Sequence, residues 1–295
     1  FSPPRVVKQG ERLGLEAGTS MDLLTGWDFE LKADRDRAVK YIKEVKPKLV
    51  IGSPPCTYFS MLQELNKFNQ RNNEQWMARF NGNLIKAIGH IKFCIKLYKM
   101  QMDEGRYWLH EHPWSAKSWQ IPEMEELLKD PRVSVAYADQ CQFGLTSNIS
   151  AGSDEQGPAK KPTGFIGNSW AIINRLRRTC KHDHVHVKLE GGRAKAAALY
   201  PDELCREMCL GLKDQIEYDA KNLKCLGELN ISGMEDLIKD MVETAEMFIT
   251  ESETMESVEG SPPSTEDGRR VEPALHDEQT QGGSTEPKLS GNDDK

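Results

Sequence analysis

The chain has 295 residues, of which 38% are hydrophobic and 29% are charged, and its formal net charge is −7. This length suggests one large domain or two small ones, and it is sufficient for a folded core. No segment approaches the ~18 consecutive apolar residues of a spanning helix, so the composition argues against a membrane protein.

Helices and strands are predicted to alternate along the first 215 residues. Helical spacing of apolar residues covers 5–13, 34–45, 83–103, 123–128 and 201–213. Short apolar runs, which are typical of buried strands, occupy 16–24, 48–52, 106–111 and 133–139. This alternation predicts an α/β fold with a three-layer wound, mostly parallel sheet.

The predicted organisation has three parts. Residues 1–215 form the α/β domain, which includes a basic segment at 160–200, and residues 216–250 form a helical extension. Residues 251–295 carry 12 acidic and four basic residues and no Phe, Trp or Tyr. Such a segment buries too little apolar surface to offset the entropy of ordering, so we expect a disordered tail.

The cysteine content predicts the cellular environment. All seven cysteines lie within the first 250 residues, and no secretory leader opens the chain. An odd number of cysteines without such a leader indicates reduced thiols in an intracellular, reducing compartment, which includes the nucleus.

Four polar side chains fall at the predicted strand ends, namely Asp22, Cys56, Glu111 and Asp139. In wound α/β sheets, ligands bind at the carboxyl ends of the strands. Two prolines before Cys56 stiffen its turn and remove two N–H donors, which would hold a nucleophilic thiol in one place. A small buried residue on a proline-rich loop is the alternative interpretation of Cys56.

Residues 49–60, with the sequence LVIGSPPCTYFS, resemble the nucleophile segment of the cytosine-5 DNA methyltransferases. In that family the cysteine attacks C6 of cytosine, and C5 then takes a methyl group from S-adenosylmethionine. A glutamate after the next strand holds N3 and the exocyclic amine of the base. The resemblance therefore implies that Cys56 and Glu111 are catalytic. The amino-methyltransferases also place two prolines after an acid or serine, but an aromatic residue stands where this chain has Cys56.

The resemblance also implies a Rossmann-like methyltransferase fold and a cofactor site. Asp22 and Asp28 would bind S-adenosylmethionine, together with Ser53 and Pro54 before the nucleophile. Where the family has a glycine-rich turn, residues 1–5 read FSPPR, with prolines instead of glycines. Any first strand of the fold would have to lie upstream of Phe1, so this sequence is expected to lack it. The start at Phe1 and the acidic tail suggest a segment of a mobile-element polyprotein, as in a retrotransposon.

A basic segment predicts a nucleic-acid partner. Between residues 160 and 195 there are nine Lys or Arg residues and two acidic ones, which is a footprint for phosphates. DNA is the expected partner rather than RNA, and a solvated basic face is the alternative. The candidate phosphate-binding residues are Lys160, Lys161, Arg175, Arg177, Arg178 and Lys181.

The same segment contains Cys180, His182, His184 and His186. Their spacing matches no standard zinc finger, and alternate histidines on a strand would lie about 7 Å apart. We therefore expect no metal there. Two other functions remain open: an inactive nucleic-acid-binding module that kept the methyltransferase fold, and a zinc-stabilised structural domain. The sequence does not determine the oligomeric state.

Overall fold

The computed structural model describes residues 4–150, 153–190, 193 and 197–256. The chain divides into two compact units, Phe1–Asn230 and Ile231–Lys295, and the sheet belongs to the first. Most of the predicted disordered tail, residues 257–295, lies outside the described residues. Within the described part, no helix is both long and apolar enough to cross a membrane.

The described chain contains the following regular elements. The helices are α1 (Arg5–Arg12), α2 (Lys32–Val45), α3 (Met61–Asn69), α4 (Glu74–Asp103), α5 (Pro122–Leu128), α6 (Trp170–Leu176) and α7 (Asp202–Glu256). The strands are β1 (Leu49–Gly52), β2 (Tyr107–Pro113), β3 (Ser134–Asp139), β4 (Thr146–Asn148), β5 (Gln156–Pro158) and β6 (Pro162–Gly167). Short 3-10 turns lie at Leu23–Thr25, Thr57–Phe59, Lys117–Gln120 and Gln140–Phe143.

The α/β class is confirmed, but the predicted mostly parallel sheet is wrong. The four-stranded sheet has the order β1-β2-β6-β3. β1 and β2 are parallel, whereas β6 runs antiparallel to both of its neighbours. The sheet is therefore mixed. β6 is not among the predicted strands, and a local apolar pattern carries no information about strand direction.

The predicted strand at residues 16–24 is also wrong. The chain there is irregular and then forms the 3-10 turn Leu23–Thr25. The Asp22 carboxylate accepts the Leu24 N–H at 2.9 Å, and the Asp22 N–H donates to the Thr25 hydroxyl at 2.9 Å. These local side-chain bonds occupy backbone groups that a sheet ladder would need.

The sheet has an apolar core on each face because neighbouring strand residues point in opposite directions. Trp108 and Ile166 pack with α4 and α5 on one face. Leu109 and Phe165 pack with α6 and the start of α7 on the other. Helices therefore cover both faces, and the polar strand ends are left at the edge.

Gly52 is the last residue of β1, and the space around it does not admit a side chain. A Cβ on Gly52 would lie 1.8 Å from the hydroxyl of Tyr98 in α4. That hydroxyl is 2.9 Å from Nδ1 of His110, which pairs with Gly52 across the ladder. The Tyr98 ring also stacks on Trp108, with centroids 4.5 Å apart. This close approach fixes where the chain leaves β1 for Ser53.

Gly52→Ala should therefore lower the free energy of unfolding by about 1–3 kcal/mol, the usual cost of overpacking a rigid core. Urea unfolding followed by far-UV circular dichroism measures this effect. Gly82→Ala is the matched control: Gly82 lies in α4 with nothing within 4 Å of the added Cβ, so alanine should stabilise the helix. A Gly52→Ala protein as stable as the wild type would contradict the packing described for Tyr98.

Candidate functional site

The Glu111 carboxylate joins the ends of β1 and β2. β1 pairs in parallel with β2, and Gly52 lies opposite His110, so the next residue of each strand emerges at the same edge. The Ser53 hydroxyl donates a hydrogen bond of 2.8 Å to Oε2 of Glu111. Glu111 is only 5% exposed and lies two residues before the end of β2, which extends further than the predicted strand end at residue 111.

Tyr200 holds the same carboxylate from a distant part of the chain. Its hydroxyl donates to Oε2 of Glu111 at 2.8 Å, and the residue is buried just before α7. The Arg5 guanidinium donates to the Tyr200 carbonyl at 3.1 Å, which fixes this segment against α1. Burial and the Glu111 charge raise the pKa of Tyr200 well above its usual value, so its hydroxyl remains a donor.

The second oxygen of Glu111 has unused bonding capacity. Oε1 is buried and has no hydrogen-bond partner among the described residues. Buried polar atoms are nearly always bonded, and leaving one unpaired costs about 1–3 kcal/mol. A donor supplied by a ligand would remove this cost.

Cys56 follows Ser53 by three residues and is half-buried, at the start of the turn Thr57–Phe59. Burial raises the pKa of its thiol, and the Glu111 charge raises it further, whereas Lys161 lowers it. These three side chains therefore lie within electrostatic reach of one another. In the free protein, the raised pKa keeps Cys56 as a thiol at neutral pH.

Two buried histidines flank Glu111 on β2. Burial lowers the pKa of His112 to about 4, and burial also lowers the pKa of His110 well below its usual value. Both rings are neutral at neutral pH, so neither supplies a positive charge to a Cys56 thiolate. The Pro54 backbone lies beside His112, and Phe59 meets the same ring edge-on at 5.7 Å.

The side chains predicted to bind the cofactor make other contacts. Asp22 closes its 3-10 turn, and the Asp28 carboxylate accepts the Glu30 N–H at 2.9 Å. Ser53 donates to Glu111, and Pro54 is buried. The strand that would present Asp22 is not formed, and in the described chain no glycine-rich turn follows a strand beside Cys56.

A cleft of 770 Å³ lies beside Pro55 and Tyr58, between α2 and α4. Pro55 and Tyr58 form its wall on that side, and Asp22 and Asp28 are not among its lining residues. Its other walls carry more basic than acidic side chains, but Lys86 pairs with Glu30 and Lys92 pairs with Glu123. The lining of the cleft includes Arg35, Lys86, His90, Lys92, Phe93 and Lys96.

Two arginines predicted to bind phosphates pair with α7 instead. Arg175 contacts Glu207 at 3.0 Å and Asp214 at 2.5 Å, and Arg178 contacts Glu207 at 2.8 Å. The Glu207 side chain is only 6% exposed, so these pairs compensate a buried charge.

The remaining basic candidates have weaker internal contacts. The Arg177 guanidinium donates to the Val135 carbonyl at 3.0 Å, and Lys160 lies 3.9 Å from Asp139. Lys181 is exposed, and Lys161 lies 5.9 Å from the centroid of the Tyr200 ring. Lys161 is therefore the predicted phosphate-binding residue that stands beside the Glu111 site.

Of the four metal-ligand candidates in the sequence, three lie close together and His182 does not. Cys180, His184 and His186 come together with Cys141, a residue that the sequence reasoning missed. Nε2 of His182 lies instead 3.5 Å from Nζ of Lys160. The segment is irregular, so the 7 Å spacing expected for alternate strand residues does not apply. The position of Cys141 just after β3 was the sequence signal that could have identified it.

Comparisons with models of protein families, with curated proteins and with solved structures give no match for this chain.

Glu111→Gln should lower the pKa of the Cys56 thiol, because it removes a negative charge that raises that pKa. A larger thiolate fraction at a given pH makes alkylation faster. We expect iodoacetamide to modify Cys56 about two- to tenfold faster at pH 8. Peptide mass spectrometry after timed quenching, repeated between pH 7 and pH 10, gives the rate for this cysteine.

Tyr200→Phe is the control for this experiment. This substitution removes one hydrogen bond from the Glu111 carboxylate but leaves its negative charge. The pH profile of Cys56 alkylation in the Tyr200→Phe protein should therefore not move to lower pH. If the Glu111→Gln profile coincides with that of the wild type, Glu111 does not control the thiol.

Proposed function

We propose that this chain binds a cytosine base of a nucleic acid at Cys56 and Glu111, in the manner implied by its resemblance to the cytosine-5 methyltransferases. Cys56 adds to C6 of the base, and Glu111 holds the N3 edge. The fold in this proposal is a divergent form of the methyltransferase-like domain.

One observation carries the proposal: Glu111 is oriented through one oxygen and unpaired at the other. Ser53 and Tyr200 both donate to Oε2, which fixes the plane of the carboxylate. Among the described residues, Oε1 has no donor. The N3 edge of an adducted cytosine offers N–H donors, so it supplies the bond that Oε1 lacks.

The addition step balances in protons and electron pairs. A lone pair on the Cys56 sulfur forms the bond to C6, and the C5=C6 pair moves to form C4=C5. The C4=N3 pair becomes a bond from N3 to a proton. The thiol loses one proton and N3 gains one, and Glu111 is the acid–base group positioned to move it. The resulting C5 is an enamine carbon, the atom that is methylated in the family.

Base binding also activates the nucleophile in this scheme. The Glu111 charge raises the pKa of the Cys56 thiol while the site is empty of base. Sharing a proton between Glu111 and N3 spreads that charge, so its effect on the thiol weakens. Lys161 continues to lower the thiol pKa. The thiolate therefore forms when a base is present, which limits unwanted oxidation or alkylation at other times.

The base must leave its stack to expose C6, as for other enzymes that act on bases. Lys161, beside Tyr200, and the exposed Lys181 are the basic side chains suited to neighbouring phosphates. Arg175 and Arg178 contribute less, because both are engaged with acidic residues of α7.

Methyl transfer from S-adenosylmethionine is the further step that the resemblance implies. Asp22 and Asp28 form turns rather than the strand-end acids of such a site, so the residues present do not fit the cofactor in that way. No step of the mechanism is assigned to it.

A nucleic-acid-binding module without catalysis is the second candidate. It is favoured by the raised pKa of the Cys56 thiol, which leaves the nucleophile protonated at rest. In that case Glu111 binds the base edge and Cys56 packs against the ring without bond formation.

Covalent trapping tests the proposal with the chain's own residues. A single-stranded oligonucleotide carrying 2-pyrimidinone, a cytosine analogue without the amine and therefore more electrophilic at C6, should form a complex that survives denaturing electrophoresis. Cys56→Ser should abolish it, and Glu111→Gln should reduce its rate by about 10²-fold or more. An oligonucleotide with 5-fluorocytosine, together with S-adenosylmethionine, tests methyl transfer separately.

Cys209→Ser is the matched control. Cys209 is buried, and its sulfur donates to the Val6 carbonyl, a bond that serine can also make. The Cys209→Ser protein should form the covalent complex at the same rate and to the same extent as the wild type. Binding of the oligonucleotide without any adduct would overturn the covalent mechanism in favour of the binding module.

A further inference from the structure

A second cluster of chemically reactive side chains lies at the carboxyl end of β3, apart from Cys56. Cys141 stands in the turn Gln140–Phe143, and Cys180, His184 and His186 stand in the irregular segment after α6. One sulfur or nitrogen atom of each lies within 4.8 Å of those of all the others. We propose that these four residues bind a structural Zn²⁺ ion.

The distances are close to those required by zinc. Sulfur and nitrogen ligands of zinc lie at about 2.3 and 2.0 Å, so the corners of the tetrahedron are about 3.3–3.8 Å apart. The Cys180 sulfur lies 3.4 Å from Nε2 of His186 and 3.7 Å from Nε2 of His184. A small inward movement of the most distant atoms closes the tetrahedron around one ion.

The donor set selects the metal and its role. Two thiolates and two imidazoles are ligands that Zn²⁺ prefers over Ca²⁺ or Mg²⁺, which take oxygen ligands. Four protein ligands leave no open position for water or substrate. The site is therefore structural rather than catalytic.

The buried carboxylate of Asp139 brings the two halves of the cluster together. The Cys180 N–H donates to Oδ2 of Asp139 at 2.9 Å, and the Asp139 N–H donates to the Arg178 carbonyl at 2.9 Å. The Tyr137 hydroxyl donates to the other oxygen of the carboxylate at 2.6 Å. Since Asp139 ends β3 and Cys141 follows it by two residues, both sulfurs are anchored to one strand end.

The surrounding contacts are those of a metal site. Nδ1 of His184 lies 2.7 Å from the Asp183 carboxylate, which orients its Nε2 toward Cys180. Metal-binding histidines commonly use their second nitrogen in this way. The His182 N–H also points at the Cys180 sulfur, at 3.3 Å. The His182 ring, in contrast, faces Lys160 and is excluded from the set.

Binding of zinc would fix the basic segment in place. The Asp139 backbone pairs with Pro162 of β6, next to Lys161, whose charge acts on Cys56. The ion joins the end of β3 to the 180–186 segment at this same edge. This inference does not depend on cytosine binding, since it rests on four other side chains.

Zinc content and affinity test the site. Protein expressed with zinc supplied should contain one equivalent of zinc by inductively coupled plasma mass spectrometry. After removal of zinc by a chelator, Co²⁺ should give the intense visible bands of a tetrahedral ion and a near-ultraviolet thiolate-to-metal band. Competition with a chromophoric chelator gives the zinc Kd.

Variants of neighbouring histidines provide a matched comparison. His186→Ala should weaken zinc binding at least 100-fold, whereas His182→Ala should leave the Kd unchanged within about threefold. Asp183→Ala should weaken it about 10–100-fold through its effect on His184. Cys180→Ser should lower the intensity of the thiolate-to-metal band by at least about half, because Cys141 is then the one thiolate left in the set. The two histidine variants keep the test decisive if that protein fails to fold.

Less than half an equivalent of zinc in wild-type protein would overturn the proposal. So would equal effects of His182→Ala and His186→Ala. A Cys141–Cys180 disulfide in protein prepared under reducing conditions, detected by mass spectrometry of unreduced peptides, would assign the two sulfurs to a redox pair instead.

Discussion

The buried Glu111 carboxylate is the contact on which the arrangement of the site depends. Ser53 reaches it from the end of β1 and Tyr200 from the segment before α7, so one side chain joins three parts of the chain. A carboxylate 5% exposed must be compensated by such donors, because water is excluded from it. The contact also determines the chemistry, since the same charge raises the pKa of the Cys56 thiol.

The end of β3 also carries a buried carboxylate that holds a distant segment of the chain, but the segment that it holds is a different one. Asp139 is also buried, and it accepts hydrogen bonds from Tyr137 and from the Cys180 backbone. Glu111 of β2 holds Ser53, three residues before Cys56, whereas Asp139 of β3 holds the backbone of Cys180 in the Cys/His cluster. β6 lies between these two strands, so both sites open at one edge of a small mixed sheet. Lys160 and Lys161, just before β6, are cationic residues between the two sites: Lys160 lies beside Asp139 and Lys161 beside Tyr200.

The local parts of this structure could be predicted from the sequence, and the long-range parts could not. Apolar spacing predicted α2, β1, β2 and β3 to within about two residues, because burial of one face imposes a period. The direction of β6 depends on pairing with strands far apart in sequence, which no local pattern records. Cys56 and Glu111 stand out by motif and strand end. The role of Tyr200 could not be predicted, because its hydroxyl contacts Glu111 across 89 residues. The position of Cys141 just after β3 was a local signal, but its partners Cys180, His184 and His186 lie roughly 40 residues away in sequence.

The central claim is that Glu111 bonds to N3 of a bound cytosine and moves its proton. A short single-stranded oligonucleotide with one cytosine labelled with ¹⁵N at N3 measures this directly by nuclear magnetic resonance. The account predicts a large upfield shift of the N3 signal on binding to the wild-type chain, with a directly bonded proton. Glu111→Gln should bind the oligonucleotide without that shift. A bound cytosine whose N3 remains unprotonated in the wild-type complex would contradict the account.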